Sequence, residues 1–202
     1  MNRQLSIPAL TCALIAGFVL MTAPAAKAQT PMSLASASVT LEGTSNVHDF
    51  TATTKDVKLT KLSIAGSAPA AAALANPTVV DGFEIAIKAA TLKSSKDGLD
   101  KNMHKALKAA EFPDIVFRLV KFEGQGPAIK AFGVLKVAGV EKDVVLDLKV
   151  VAAAATLTVT GQVPLLMTDY GITPPKMMLG ALKTSPKIRV KFETVLAAPS
   201  TF

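Results

Sequence analysis

Site chemistry needs reactive side chains in company, and this chain offers few. Its histidines are His48 and His104, and its one cysteine is Cys12. Cys12 lies in an N-terminal segment expected to be removed, so the remainder can build neither a thiolate zinc cluster nor a disulfide. His48, Asp49 and His104 have the residue types of an open metal site. Neighbouring residues on a strand point to opposite faces, however, and no metal ligand is assigned. Ser45 and His48 have the types of a nucleophile and its base, but no Gly-x-Ser-x-Gly elbow or orienting acid accompanies them. A hydrogen-bonded turn, in which Ser45, Asn46 and His48 satisfy backbone groups, accounts for the same residues. The carboxylates are spread out, and Gly124-Gln125-Gly126 is hairpin punctuation rather than a phosphate cradle. No catalytic residue is assigned and no cofactor is expected, so the chain reads as a binder and not an enzyme.

One segment has the composition of a binding element. Met167-Thr168-Asp169-Tyr170-Gly171-Ile172-Thr173-Pro174-Pro175-Lys176-Met177-Met178-Leu179-Gly180 opens a long interruption, extending to Ser185, between two strand patterns. Loops of this length in compact domains are uncommon and often functional. This one is apolar, and methionine suits irregular apolar partners. It reads as a plug over one barrel end, which over a ligand cavity would also be a lid.

The elements that must position such a lid are mostly strands. Val39 and Leu41, then Phe83, Ile85 and Ile87, alternate with polar residues. The same period of two runs through Ile115, Phe117 and Leu119, through Ala131, Gly133, Leu135 and Val137, and through Val144, Leu146, Leu148 and Val150. It returns at Leu157, Val159, Gly161 and Val163 and at Ile188, Val190 and Phe192. About eight alternating strands joined by short turns predict an all-β fold, an antiparallel barrel with one helix near one end. The helix is expected from Leu99 to about Phe112, where Leu99, Met103, Ala106, Leu107 and Ala110 form an apolar stripe ended by Pro113. Ser67 to Pro77 reads as a loop or frayed segment. The inward face mixes large residues with Ala131, Gly133 and Gly161, which either leave a tunnel or ease strand bending.

The beginning of the chain is set apart. Arg3, the apolar run Ile7 to Met21 and the small-x-small site Ala26-Lys27-Ala28 have the layout of a signal peptide, with cleavage expected after Ala28. The expected organisation is a signal peptide at 1–28, a flexible leader at 29–36 and one domain at 37–198, located in the periplasm. The formal charge of +7 is carried by lysines scattered singly along strands, with one tyrosine and no tryptophan. That argues against nucleic acid and for an ordinary solvated face.

In order and spacing, several motifs resemble the YceI-like, or polyisoprenoid-binding, domain family. They are Gly43-Thr44-Ser45-Asn46-Val47-His48-Asp49-Phe50, Leu107-Lys108-Ala109 followed by Phe112-Pro113-Asp114-Ile115-Val116-Phe117, Gly133-Val134-Leu135-Lys136-Val137-Ala138-Gly139-Val140, and Asp169-Tyr170-Gly171-Ile172 with Pro174-Pro175. The resemblance spans about Val39 to Leu196. It implies a lipocalin-like barrel, export to the periplasm, and an isoprenoid chain held non-covalently in an elongated apolar tunnel. Leu41 departs from it, standing where the family commonly has an aromatic residue.

The expected function is therefore binding, transport or sequestration of a long apolar lipid, polyisoprenoid or quinone-like. The alternative is a solid-core envelope protein acting through its surface. From alternation, Phe83, Ile85, Phe117, Leu135, Leu146 and Leu157 should line the tunnel, with Met103 and Leu107 closing one side. Met167, Tyr170, Met177 and Leu179 should gate it, and Tyr170 or His48 could meet a polar head group. The expected partner is an apolar lipid, with room for a transient membrane contact and a homodimer.

Overall fold

The computed structural model describes residues 32–67, 70–124, 128–177 and 181–199. The expected signal peptide, the turn residues 125–127 and the loop residues 178–180 lie outside these. The strands are β1 (Ser33–Ser45), β2 (Asp49–Thr54), β3 (Val57–Ile64), β4 (Val80–Lys88), β5 (Asp114–Glu123), β6 (Ala128–Val137), β7 (Val140–Ala153), β8 (Thr156–Leu166), β9 (Lys176–Met177) and β10 (Leu182–Ala197). The helices are α1 (Ala70–Ala75) and α2 (Asp97–Ala106). One antiparallel sheet runs β2-β1-β10-β8-β7-β6-β5-β4-β3, with the two-residue β9 paired to the start of β10. This is the expected lipocalin-like barrel architecture, curled but left open between β2 and β3.

Strand periodicity translates directly into burial. On β7, Val144, Leu146, Leu148 and Val150 are buried while Val145, Asp147, Lys149 and Val151 are exposed. The outer face carries ion pairs such as Lys130–Asp147 (2.7 Å) and Lys191–Glu42 (2.6 Å). Pairs this exposed contribute little stability, about 0–1 kcal/mol each. The scattered lysines are thus a solvated face.

Three expectations need correction. Residues 33–36 belong to β1, whose pairing with β10 begins at Ser33↔Ala197, so they are not a flexible leader. Buried Met32 joins the core just ahead of them. The helix is shorter than its apolar stripe. Lys108 adopts φ 51, and the Lys108 and Ala109 amides donate to the Lys105 and His104 carbonyls (3.0 and 2.9 Å). That is a Schellman closure, which ends α2 at Ala106, about two turns before Pro113. Finally, β10 begins at Leu182, inside the expected Met167–Ser185 interruption.

Candidate functional site

At one end of the barrel, beneath α2, lies a cavity of about 520 Å³. A smaller one of about 130 Å³ continues toward the other end. Val39, Ile87, Leu135 and Val190 line both, so the two spaces share a wall and follow one axis. Along β10 the wide space takes Thr184 to Val190 and the narrow one Val190 to Leu196.

Eleven of the residues named from sequence fall on these walls. Phe83, Ile85, Phe117, Leu146 and Leu157 line the narrow space, Met103, Leu107, Met167, Tyr170 and His48 the wide one, and Leu135 both. These residues thus divide into two groups rather than forming one uniform tunnel. The side chain of Met177, and Leu179 altogether, fall outside what the structure describes. Leu41, the departure from the family pattern, lines the wide cavity.

Several lining residues were not anticipated, though their signals were present. Leu99 and Ala106 lie on the helical stripe of Met103, and Ile115 and Ile188 continue the alternation of Phe117 and Val190. Leu165 follows Val163 by two. Leu92, in the connection between β4 and α2, had no periodic neighbour to reveal it.

The small inward residues have another use. A Cβ at Gly133 would collide with the Phe117 ring, and one at Gly161 with the Phe192 ring. Each phenyl group occupies the place of the missing side chain, so these glycines let aromatic rings lie flat on the wall and leave no gap themselves.

Three local structures hold the wide mouth. In the turn between β1 and β2, Ser45 Oγ donates to the His48 carbonyl (2.8 Å) and accepts from the His48 amide (3.1 Å). Asn46 Nδ2 donates to the Ala181 carbonyl, and the Lys183 amide donates to Asn46 Oδ1, both at 2.8 Å. The motif read from sequence as a hydrogen-bonded turn therefore latches the start of β10. It leaves His48 exposed on the rim.

The second structure is the seat of α2. Thr53 and Lys93 exchange backbone hydrogen bonds (2.8 and 3.0 Å), and His104 Nε2 donates to the Leu92 carbonyl (2.8 Å). Buried Asp100 accepts from the Ser94 amide at 2.7 Å and lies 3.6 Å from Lys93. Hydrogen bonding from Ser94 holds its carboxyl below the usual value, overcoming desolvation. His104 is thus a clamp. Among the described residues no group of three His, Cys, Asp or Glu side chains could hold a metal ion.

The third is the single turn Met167–Tyr170, ended by Gly171 at φ 65. A left-handed residue costs glycine nothing, and here it turns both Tyr170 and Ile172 inward, 4% and 7% exposed. Burial pushes the Tyr170 phenol up to about 12, with the Asp169 carboxylate adding to the effect.

Solved structures with this architecture exist. The chain is similar to BcnA of Burkholderia cenocepacia at 13% sequence identity, covering 79% of this chain and 95% of that one, with a TM-score of 0.64. It is similar to a YceI protein of Campylobacter jejuni at 20% identity, covering 73% and 83%, with a TM-score of 0.57. It is also similar to a polyisoprenoid binding domain from Saccharophagus degradans, implicated in plant cell wall breakdown, at 13% identity, covering 85% and 100%, with a TM-score of 0.63. At such identities the likeness shows the fold. No curated protein matches the sequence. The YceI-like domain profile matches residues 27–196, nearly the whole of the sheet and its end helix, and the chain belongs to the YceI-like domain family.

Proposed function

We propose that this protein binds a long apolar lipid, polyisoprenoid or quinone-like, along the axis of the two cavities, and carries or sequesters it in the periplasm. The observation that carries this reading is the pair of apolar spaces sharing Val39, Ile87, Leu135 and Val190. A slender chain entering past α2 would extend from the wide space into the narrow one. Its burial is worth about 0.8 kcal/mol for each methylene removed from water. The name of the Saccharophagus domain, polyisoprenoid binding, supports the same class of ligand. Phe83, Ile85, Phe117, Leu146 and Leu157 would hold the tail, and Met103, Leu107 and Met167 the segment nearer the mouth. Binding is non-covalent, needs no cofactor, and involves no nucleic acid.

The test is native mass spectrometry of protein secreted to a bacterial periplasm and purified without detergent. An adduct of isoprenoid or quinone mass is expected. Protein at its bare mass, still bare after incubation with isoprenoid lipids, would overturn the reading in favour of a surface-acting envelope protein.

A further inference from the structure

The narrow space has a closed end. There Ile129, Val150, Leu157 and Leu196 line it at between 2% and 7% exposed, so solvent does not reach it from that side. Leu157 and Leu196 stand opposite each other in the β8–β10 register, with both side chains on the inner face. Met32 and Ala73 belong to the same core cluster, at 2% and 0% exposed, yet line neither space. Packed atoms and not water therefore lie beyond the leucine pair. Phe117 and Phe192, seated on Gly133 and Gly161, lie against the wall, so the passage leading to that pair stays clear.

A tube closed at one end has a capacity. An apolar protein cavity of about 150 Å³ takes one benzene, so each carbon needs about 25 Å³. On that scale the wide space of about 520 Å³ takes about 20 carbons, and the narrow one of about 130 Å³ takes about five. We propose that the protein selects its lipid by length: it encloses a single apolar tail of up to about 25 carbons, or about five isoprene units, and Leu157 and Leu196 set that limit. This rests on the lipid-binding reading and gives its ligand a size. Below the limit, each added methylene is buried and strengthens binding about fourfold. Above it, added carbons remain in water outside the mouth and contribute nothing.

The test loads lipid-free protein with straight-chain primary alcohols, lengthened two carbons at a time through that limit. Relative affinity is read by native mass spectrometry with neighbouring lengths in competition. In wild type, affinity should climb with length and go flat at about 25 carbons. Leu196→Ala removes three side-chain carbons from the end wall and should move this break about three carbons longer. Ala131→Leu puts three more carbons into the narrow space and should move it about three carbons shorter. Leu196→Ala empties part of the core and loses stability, so melting transitions accompany both variants. Ala131→Leu fills a void, and it carries the test by itself if Leu196→Ala does not fold. A wild-type break at about 20 carbons would mean that the tail stops short of the narrow space, and would overturn the inference. So would affinity that keeps climbing far past the limit, or a break that stays in place in the folded variants, while the alcohols still bind. Binding of none of the alcohols, and of no polyisoprenoid quinone, would overturn the lipid-binding reading itself.

Discussion

Around Leu146, Leu148, Val150 and Leu157 the side chains bury one another and leave about 130 Å³. At the other end of the same sheet, Met103, Leu107, Tyr170 and Ile172 are equally inaccessible, yet they surround about 520 Å³. The difference lies in what faces the strands. In the narrow half, strands face strands, and phenyl rings fit against bare glycine backbone at Gly133 and Gly161. In the wide half, α2 and the Met167–Tyr170 turn span the opening from above, anchored at their ends by Asp100, His104 and Gly171. A roof held at its edges buries its own side chains without filling the space beneath it. Burial and packing are therefore separate quantities in this molecule.

Truncation gives the largest expected effect and tests that separation. Leu157 is 2% exposed within the filled half, so Leu157→Ala should cost about 3 kcal/mol, the lost transfer energy plus a new void. Met103 already borders empty space, and Met103→Ala should cost about 1 kcal/mol while weakening lipid binding more than its stability cost suggests. Urea unfolding of both variants checks this. Equal losses would mean that the roof is packed as tightly as the sheet.

A plug at the junction comes next. Leu135 lines both spaces, and Leu135→Trp should close the passage between them. The cost in stability should be small, about 1 kcal/mol, because the indole has a void to enter. Short-tailed quinones should still bind, whereas long-tailed ones should lose most of their affinity. If tail length makes no difference to the variant, the two spaces do not act as one tunnel.

How much of this was legible beforehand divides along the same line. A period of two states which side of a strand is inward, so the lining residues of β4 to β8 could be named from spacing alone. Nothing in that period states whether inward residues meet, and the division of Phe117 from Met103 into two spaces depends on how far the roof stands off. Leu92 was missed for a related reason. It lies in a connection, and its burial comes from the backbone exchange between Thr53 and Lys93, residues 40 positions apart in the chain. The helix end was misplaced because the apolar stripe runs on through Ala110, whereas the backbone had already turned at Lys108.

Titration of Tyr170 gives a smaller effect confined to high pH. With the phenol pushed up to about 12, the unfolded chain, whose tyrosine titrates near 10, binds fewer protons than the folded one between those values. Stability contributed by the buried neutral phenol is thus complete below about pH 10 and falls away as pH rises toward 12. Absorbance at the tyrosinate band, from one tyrosine only, should show a midpoint near 12 in folded protein. A midpoint near 10 would place Tyr170 in contact with water rather than under the roof.

The smallest effect concerns the joint from which the roof hangs. Lys108 holds the left-handed position that closes α2, a conformation costing a residue with a Cβ about 1 kcal/mol and glycine almost nothing. Its ammonium lies 5.9 Å from the Phe112 ring centre, a contact worth about 0.5 kcal/mol at an exposed site. Glycine also gives the unfolded chain more freedom, which takes back part of the gain. These terms leave Lys108→Gly stabilising by a few tenths of a kcal/mol, within reach of paired thermal melts. Lipid affinity should stay the same, because Lys108 lies outside both cavity walls. A loss of affinity would mean that the joint sets the height of the roof as well as its end, and the wide space would then depend on strain at this residue.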